Sequence, residues 1–257
     1  MFVDSHCHLD FPELRADFDA VLQTMRDNSV THALTISTTL TSFPAVLAVA
    51  ESRPHIFASA GVHPDEQVDD HEASVAELVR LADHPKVVAI GETGLDYFRL
   101  KEPLEWQRER FRVHIRAARE CGKPLVIHTR ESAEDTLRIM REENAADVGG
   151  VMHCFTESAD VAARAIDLNF HISFSGIVTF KNAKQLKATA RSVPLERMLV
   201  ETDSPYLAPT PFRGKTNQPG YVKHVAEEIA RLKECSVETV GRATTDNFFR
   251  LFAGARR

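Results

Sequence analysis

The sequence has little of what marks a secreted, thiolate-bound or membrane-spanning protein. Only four cysteines occur, Cys7, Cys121, Cys154 and Cys235, and no two of them form a C-x-x-C pair. That spacing excludes a disulfide framework and a zinc-thiolate module, and it fits reduced thiols in a cytoplasmic protein. No apolar run approaches the ~18 residues of a membrane span, and no basic-then-apolar leader opens the chain. Positive charge is not in excess either. The net charge is −6, so no broad basic field draws in nucleic acid. An enzyme that meets phosphates through bound cations and a few arginines remains open. G-x-G-x-x-G is absent, which weighs against two dinucleotide-binding domains in 257 residues. Nothing calls for an obligate protein partner.

What is present is a regular beat. Short β-branched or apolar runs at 2–6, 32–37, 56–62, 87–92, 124–129, 149–154, 171–177 and 198–203 read as strands. Between them lie helical patterns such as ELRADFDAVLQTMRD, SVAELVRLAD and LEWQRERFRVHIRAARE. Two more, YVKHVAEEIARLKE and SVETVGRATTDNFFRLFA, follow the eighth strand. Eight strand–helix units without a linker or composition break predict an α/β fold, a single (β/α)8 TIM barrel over residues 1–257.

Reactive groups in such a barrel sit at the C-terminal ends of the strands. His6 and His8 end the first strand in D-S-H-C-H-L-D, His63 follows the third in G-V-H-P, and Glu92 ends the fourth in G-E-T-G-L-D. His128 ends the fifth in V-I-H-T-R, His153 the sixth in M-H-C-F, and Glu201 and Asp203 the eighth in V-E-T-D-S-P-Y-L. Alternation along a strand pairs His6 with His8 and Glu201 with Asp203 on one face. Cys7 then points away, and Asp4 shares the histidines' face, placed to steady one of them. Each residue alone has an ordinary explanation: a satisfied core histidine, a glutamate serving the arginine-rich helix that follows, a capped loop. Gathered at one mouth, these donors would carry a heavy burial cost without a compensating cation, so the joint pattern predicts a metal site. His32, His55, His71, His84, His114, His171 and His224 lack that placement and read as surface or supporting residues.

These motifs, with A-I-G-E-T-G-L-D-Y, S-F-S-G-I, V-E-T-D-S-P-Y-L-A-P, R-G-K-T-N and the ending T-T-D-N-F-F-R-L-F, resemble the TatD family of metal-dependent deoxyribonucleases. The resemblance covers nearly the whole chain. It implies that His6, His8, Glu92, His128, His153 and Asp203 are divalent-metal ligands, with Glu92 bridging two ions. One ion would be held by His6, His8, Asp203 and Glu92, the other by Glu92, His128 and His153. It further implies Mg²⁺ or Mn²⁺, with Zn²⁺ as an alternative occupant, and single-stranded DNA trimmed from its 3′ end.

Two such ions roughly 3.5–4 Å apart clamp the attacking and leaving oxygens of a phosphodiester. Asp203 is placed to orient the attacking water and take its proton, so Asp203 and Glu92 are the candidate catalytic residues. Phosphate contacts are expected from Arg213, Lys215 and Asn217 of R-G-K-T-N, from Arg130, and from Arg99 and Lys101 after the fourth strand. His63 and Tyr97 are candidates to touch the leaving group or stack on a base. Glu201, Ser173 and Ser175 are candidates to orient a ligand or a water, and Phe155 and Phe180 read as pocket lining or core. The same chemistry attacks a carbonyl, so an amide or ester hydrolase, such as an aminoacyl-tRNA deacylase, is the competing enzyme reading. A non-catalytic binding scaffold would call for a broken ligand set and a continuous basic surface, and the sequence offers neither.

Overall fold

The computed structural model describes residues 1–67, 72–98 and 104–257; His71, Arg99 and Lys101 lie outside the described residues. The chain begins β1 (Phe2–Cys7), α1 (Pro12–Arg15), α2 (Phe18–Asp27), β2 (Val30–Thr35), α3 (Phe43–Glu51) and β3 (Ile56–Ala60). It continues α4 (Val75–Ala82), β4 (Val87–Asp96), α5 (Glu105–Cys121), β5 (Leu125–Arg130), α6 (Ala133–Glu142) and β6 (Gly150–Met152). It ends α7 (Ala159–Asp167), β7 (Phe170–Phe174), α8 (Lys184–Ser192), β8 (Met198–Val200), α9 (Val222–Lys233) and α10 (Val237–Leu251). The strands pair in parallel in the order β1 to β8, giving the eight-stranded (β/α)8 barrel that the sequence pattern predicts.

Two apolar layers hold it. Val3, Leu34, Phe57, Val88, Val126, Val151 and Leu199 fill the interior and meet Phe248 and Phe252 of α10. That helix closes the end where the strands begin, with Gly241 packed against Met1 and Phe2. The outer layer joins strand residues such as Ala58, Ile90, Ile127 and Ile172 to helix residues such as Leu22, Leu78, Phe111, Leu137 and Ile229. With the lower end stoppered by α10, the strand C-termini form the mouth available for chemistry.

Four local departures from the sequence reading have physical causes. ELRADFDAVLQTMRD is two helices, because the Asp17 side chain accepts the Ala20 N–H and starts α2 afresh. Helix α3, FPAVLAVAE, is apolar around most of its surface, so no periodicity announces it. Strands β6 and β8 stop at Met152 and Val200, so His153, Glu201 and Asp203 stand just beyond them; Cys154 and Asp203 take φ of +42° and +56°. In β1 the pairing slips between Asp4 and Cys7, so that Val3 lies in the interior layer and Cys7 in the outer one despite equal parity.

Asp4 is a correction that follows from this slip. Its carboxylate accepts from Thr202 Oγ1 (2.6 Å), Thr202 N (2.8 Å) and the backbone N–H of His6 (3.3 Å). It ties β1 to the segment after β8 and reaches no histidine ring by hydrogen bond. Cys7 faces away from the mouth as expected, its thiol donating to the Leu34 carbonyl.

Candidate metal centre

The barrel closes at the site itself. The Asp203 N–H donates to the His6 carbonyl (2.9 Å), and the His8 N–H donates to the Ser204 carbonyl (2.8 Å). Those two bonds bring the H-x-H pair and Asp203 together although about three quarters of the chain separates them. On the far side, Gly91 and Gly94 flank Glu92 with φ of +143° and +136°. A Cβ at Gly94 would lie 2.0 Å from the His128 carbonyl oxygen, so only glycine lets β4 pass β5 this closely. His63 is held through its neighbours: the Val62 N–H donates to His114 Nε2 (3.0 Å), and Arg110 donates to the His63 and Glu66 carbonyls.

Glu92, 3% exposed, is the hub. Its Oε1 lies 2.7 Å from His153 Nε2, 3.1 Å from His128 Nδ1 and 3.5 Å from His63 Nε2. Its Oε2 faces the other way, 3.3 Å from His6 Nε2. Asp203 Oδ1 completes that second group, 3.6 Å from His6 Nε2 and 3.4 Å from His8 Nε2. The rings of His6 and His153 stack at 3.8 Å between centroids, which packs the two groups side by side.

The outer nitrogens settle which lone pairs turn inward. His153 Nδ1 lies 3.2 Å from Glu201 Oε1, a carboxylate that also accepts the Cys154 N–H at 2.7 Å. His128 Nε2 lies 3.1 Å from Asp96 Oδ2. Nδ1 of His153 and Nε2 of His128 thus have carboxylates to donate to, which leaves their opposite nitrogens, converging on Glu92 Oε1, as the pair that a bound cation would take. His63 differs. Its Nδ1 accepts the Asp65 N–H (3.1 Å), so its Nε2 is the protonated nitrogen and serves as a donor toward the mouth.

Donor atoms crowded this closely around one buried carboxylate call for positive charge among them, and the acid–base balance of the site says the same. Burial acts to raise the Glu92 carboxyl, yet His153, His63 and His6 hold it well below the usual carboxylate range. Burial acts to lower His153, yet Glu92 and Glu201 carry it well above the usual imidazole range. His63, by contrast, is pushed down to about 3 by burial, against the pull of Glu92. Buried nitrogens of His6, and Nδ1 of His8, have no hydrogen-bond partner among the described residues. Imidazole nitrogens with shared carboxylates are the donor set of a transition-metal or mixed-character divalent cation, so the residues fit a metal centre. Geometrically compact donor groups are His6–His8–Asp203, His6–His153–Glu201 and His63–Glu92–His128.

The structure thus brings together His6, His8, His63, Glu92, His128, His153, Glu201 and Asp203. Arg130 is the exposed last residue of β5, and Arg213 and Lys215 are exposed on the segment that follows β8. The guanidinium of Arg130 lies 3.7 Å over the Phe98 ring and that of Arg213 3.6 Å over Phe180. Asn217 is not with them. It is fully buried, its Nδ2 donating to the Thr202 and Tyr206 carbonyls (2.9 and 2.6 Å) and its Oδ1 accepting the Gln218 N–H. Its amide pins the loop after β8 and has no face left for a phosphate. Tyr97 is a second correction: its hydroxyl donates to Asp135 Oδ2 (2.8 Å) and accepts from Arg108, on the helical flank of the barrel. Ser173 pairs with Ser5 and Ser175 with the Cys154 thiol, while Phe155 is core. Asp96 is the residue that the sequence reading passed over. Its signal was present, because it follows Glu92 by four positions along β4 and so shares its parity.

Comparison with known proteins gives the family and the fold. The family model described as TatD related DNase matches residues 3–253. The metal-dependent hydrolase YcfH of Escherichia coli K12 is 51% identical over 253 residues, covering 97% of this chain and 95% of the relative. The Bacillus subtilis metal-dependent hydrolase YabD is 43% identical over 252 residues, covering 98% and 99%. Among solved structures, YJJV, a TatD homologue from Escherichia coli, superposes with a TM-score of 0.92 at 28% identity, covering 98% of each chain.

Proposed function

The chain belongs to the TatD family of metal-dependent hydrolases, and on that premise we propose that it is a cytoplasmic deoxyribonuclease that shortens single-stranded DNA from the 3′ end. The observation that supports this most is the division of Glu92, with Oε1 facing His128 and His153 and Oε2 facing His6 beside Asp203. His6, His8 and Asp203 would hold one divalent ion and His128 and His153 a second, with Glu92 shared between them. Mg²⁺ or Mn²⁺ would serve in use, and Zn²⁺ suits the same histidine-rich donors. Bound ions would supply positive charge to the phosphate oxygens and acidify water.

The chain's own residues do the rest. The Asp203 side chain is 16% exposed, so it meets both the histidines and the open mouth; it orients the attacking water and accepts its proton. His63 is neutral and donates from Nε2, toward the oxygen that leaves. Glu201 and Asp96 fix the tautomers of His153 and His128, so the metal-facing nitrogens need no reorientation. Arg130, Arg213 and Lys215 meet backbone phosphates, and neither arginine has a carboxylate partner among the described residues. A single barrel over residues 1–257 carries the whole site.

Oligonucleotides labelled at the 5′ end, with free or phosphorothioate-blocked 3′ ends, test this directly. The expected result is stepwise shortening of the free strand in Mg²⁺ or Mn²⁺, halted by the block and by chelation. Protein of confirmed metal content that leaves both strands intact contradicts the nuclease assignment. Release of amino acid from aminoacyl-tRNA by that same protein would put the ester reading in its place.

A further inference from the structure

We propose that Tyr206, backed by Phe11, forms a nucleobase-stacking subsite at the barrel mouth, which takes an unpaired base of the strand being cleaved. The proposal rests on the nuclease reading and adds the part of the substrate that the metal centre does not touch. Among the described residues the exposed large apolar side chains are Met1, Phe98 and Tyr206, and Tyr206 is 54% exposed. An exposed aromatic ring beside a reactive centre offers its face to a flat group of the substrate.

The backbone beneath this ring is rigid. The Tyr206 N–H donates to the Asp203 carbonyl (3.0 Å), its own carbonyl accepts Asn217 Nδ2 (2.6 Å), and the Asn217 N–H donates to the Pro205 carbonyl (3.0 Å). Asp203 and Leu207 flank it at φ of +56° each, a conformation that costs non-glycine residues energy and persists only where the surroundings impose it. A Cβ at Gly176 would meet the Leu207 carbonyl oxygen at 2.0 Å, so the loop is also clamped from β7's side. Free ring and fixed backbone together describe a preorganised platform, which binds a flat group with little ordering cost.

Its position relative to the chemistry is set by aromatic contacts. The Phe11 ring stacks on His8 at 4.8 Å and 23°, and Tyr206 meets Phe11 edge-on at 6.2 Å. His8 Nε2 is in turn 3.4 Å from Asp203 Oδ1. A line of rings therefore runs from the metal donors to solvent. A nucleobase fits it better than a peptide or a lipid, because Arg130 and Arg213, stacked on Phe98 and Phe180 and in no salt bridge among the described residues, supply cationic sites for the phosphates joined to each base. Every base has a π-face, so this subsite reads no sequence; it distinguishes unpaired bases from stacked duplex ones.

The test uses metal-loaded protein and binding rather than turnover. The probes are a dye-labelled oligothymidine with a phosphorothioate backbone and the same oligomer with abasic residues at its three 3′ positions. Wild-type protein should bind the abasic probe about tenfold more weakly, the scale of one lost stacking contact. Tyr206→Ala should lose about tenfold on the full probe and no longer distinguish the two, while Tyr206→Trp restores both tight binding and discrimination. Metal content and Tm should match the wild type, because the ring is exposed. A Tyr206→Ala variant that still discriminates as the wild type does overturns the subsite and leaves the nuclease reading standing. Wild-type protein that binds neither probe overturns both.

Discussion

His114 carries no chemistry, yet it fixes the strand end from which His63 projects. Its Nε2 accepts the Val62 N–H and its Nδ1–H donates to the Arg110 carbonyl (2.8 Å), so the neutral ring is fully satisfied. Burial, aided by the Arg110 charge, pushes it down to about 4 from 6.5. Between those values the unfolded chain binds a proton that the folded chain refuses, so its contribution is present above pH 6.5 and is lost as pH falls toward 4. The slope reaches about 1.4 kcal/mol per pH unit. Urea unfolding at pH 7 and pH 5 should show a fall about 2 kcal/mol smaller in His114→Gln than in the wild type. Equal falls would contradict it. The histidines that converge on Glu92 and Asp203 were legible at this scale because H-x-H and strand-end placement are local signals. Asp96 was legible only in part: its parity with Glu92 lies in the sequence, but its partner His128 is 32 residues away and only the fold shows them touching. Asn217 was misread for a related reason. A basic loop suggests phosphate, but an amide has two donors and an acceptor, which here satisfy the loop's own backbone.

At the scale of elements, the loop after β8 does the most positioning. It carries Asp203 and Tyr206, and Asn217 holds it by two donated bonds to carbonyls of that same segment. Asn217→Ala leaves those carbonyls without a partner, and unfolding should become easier by about 2–3 kcal/mol. Catalytic efficiency should fall with it, since Asp203 no longer has a fixed place. Denaturant midpoints and kcat/KM measure both, and a variant as stable as the wild type would refute the role of the amide. Strands were legible because β-branched runs separate charged helices, and their starts agree with the structure to within two residues. Helix α3 and the slip in β1 were not. The first has no polar face to reveal its period, and the second depends on how β1 pairs with β2. Parity found the H-x-H pair correctly and misjudged Asp4 in the same strand, since alternation holds only while the register does.

For the whole molecule, the net charge of −6 is compatible with the nucleic-acid substrate we propose only if the cationic demand is concentrated in one mouth. The eightfold beat made the barrel legible, and the barrel rule then told which strand ends converge. The closure was beyond sequence reasoning: β1 meets the segment after β8 through bonds spanning up to 198 positions. That closure places donors from strands one, four, five, six and eight around a single carboxylate, so Glu92 carries the central claim. Elemental analysis of wild-type protein and Glu92→Ala, with oligonucleotide turnover on the same samples, tests it most directly. The account predicts two divalent ions per wild-type chain, and loss of both metal and turnover in a variant whose circular dichroism is unchanged. A Glu92→Ala protein that keeps its metal and its full turnover would contradict it.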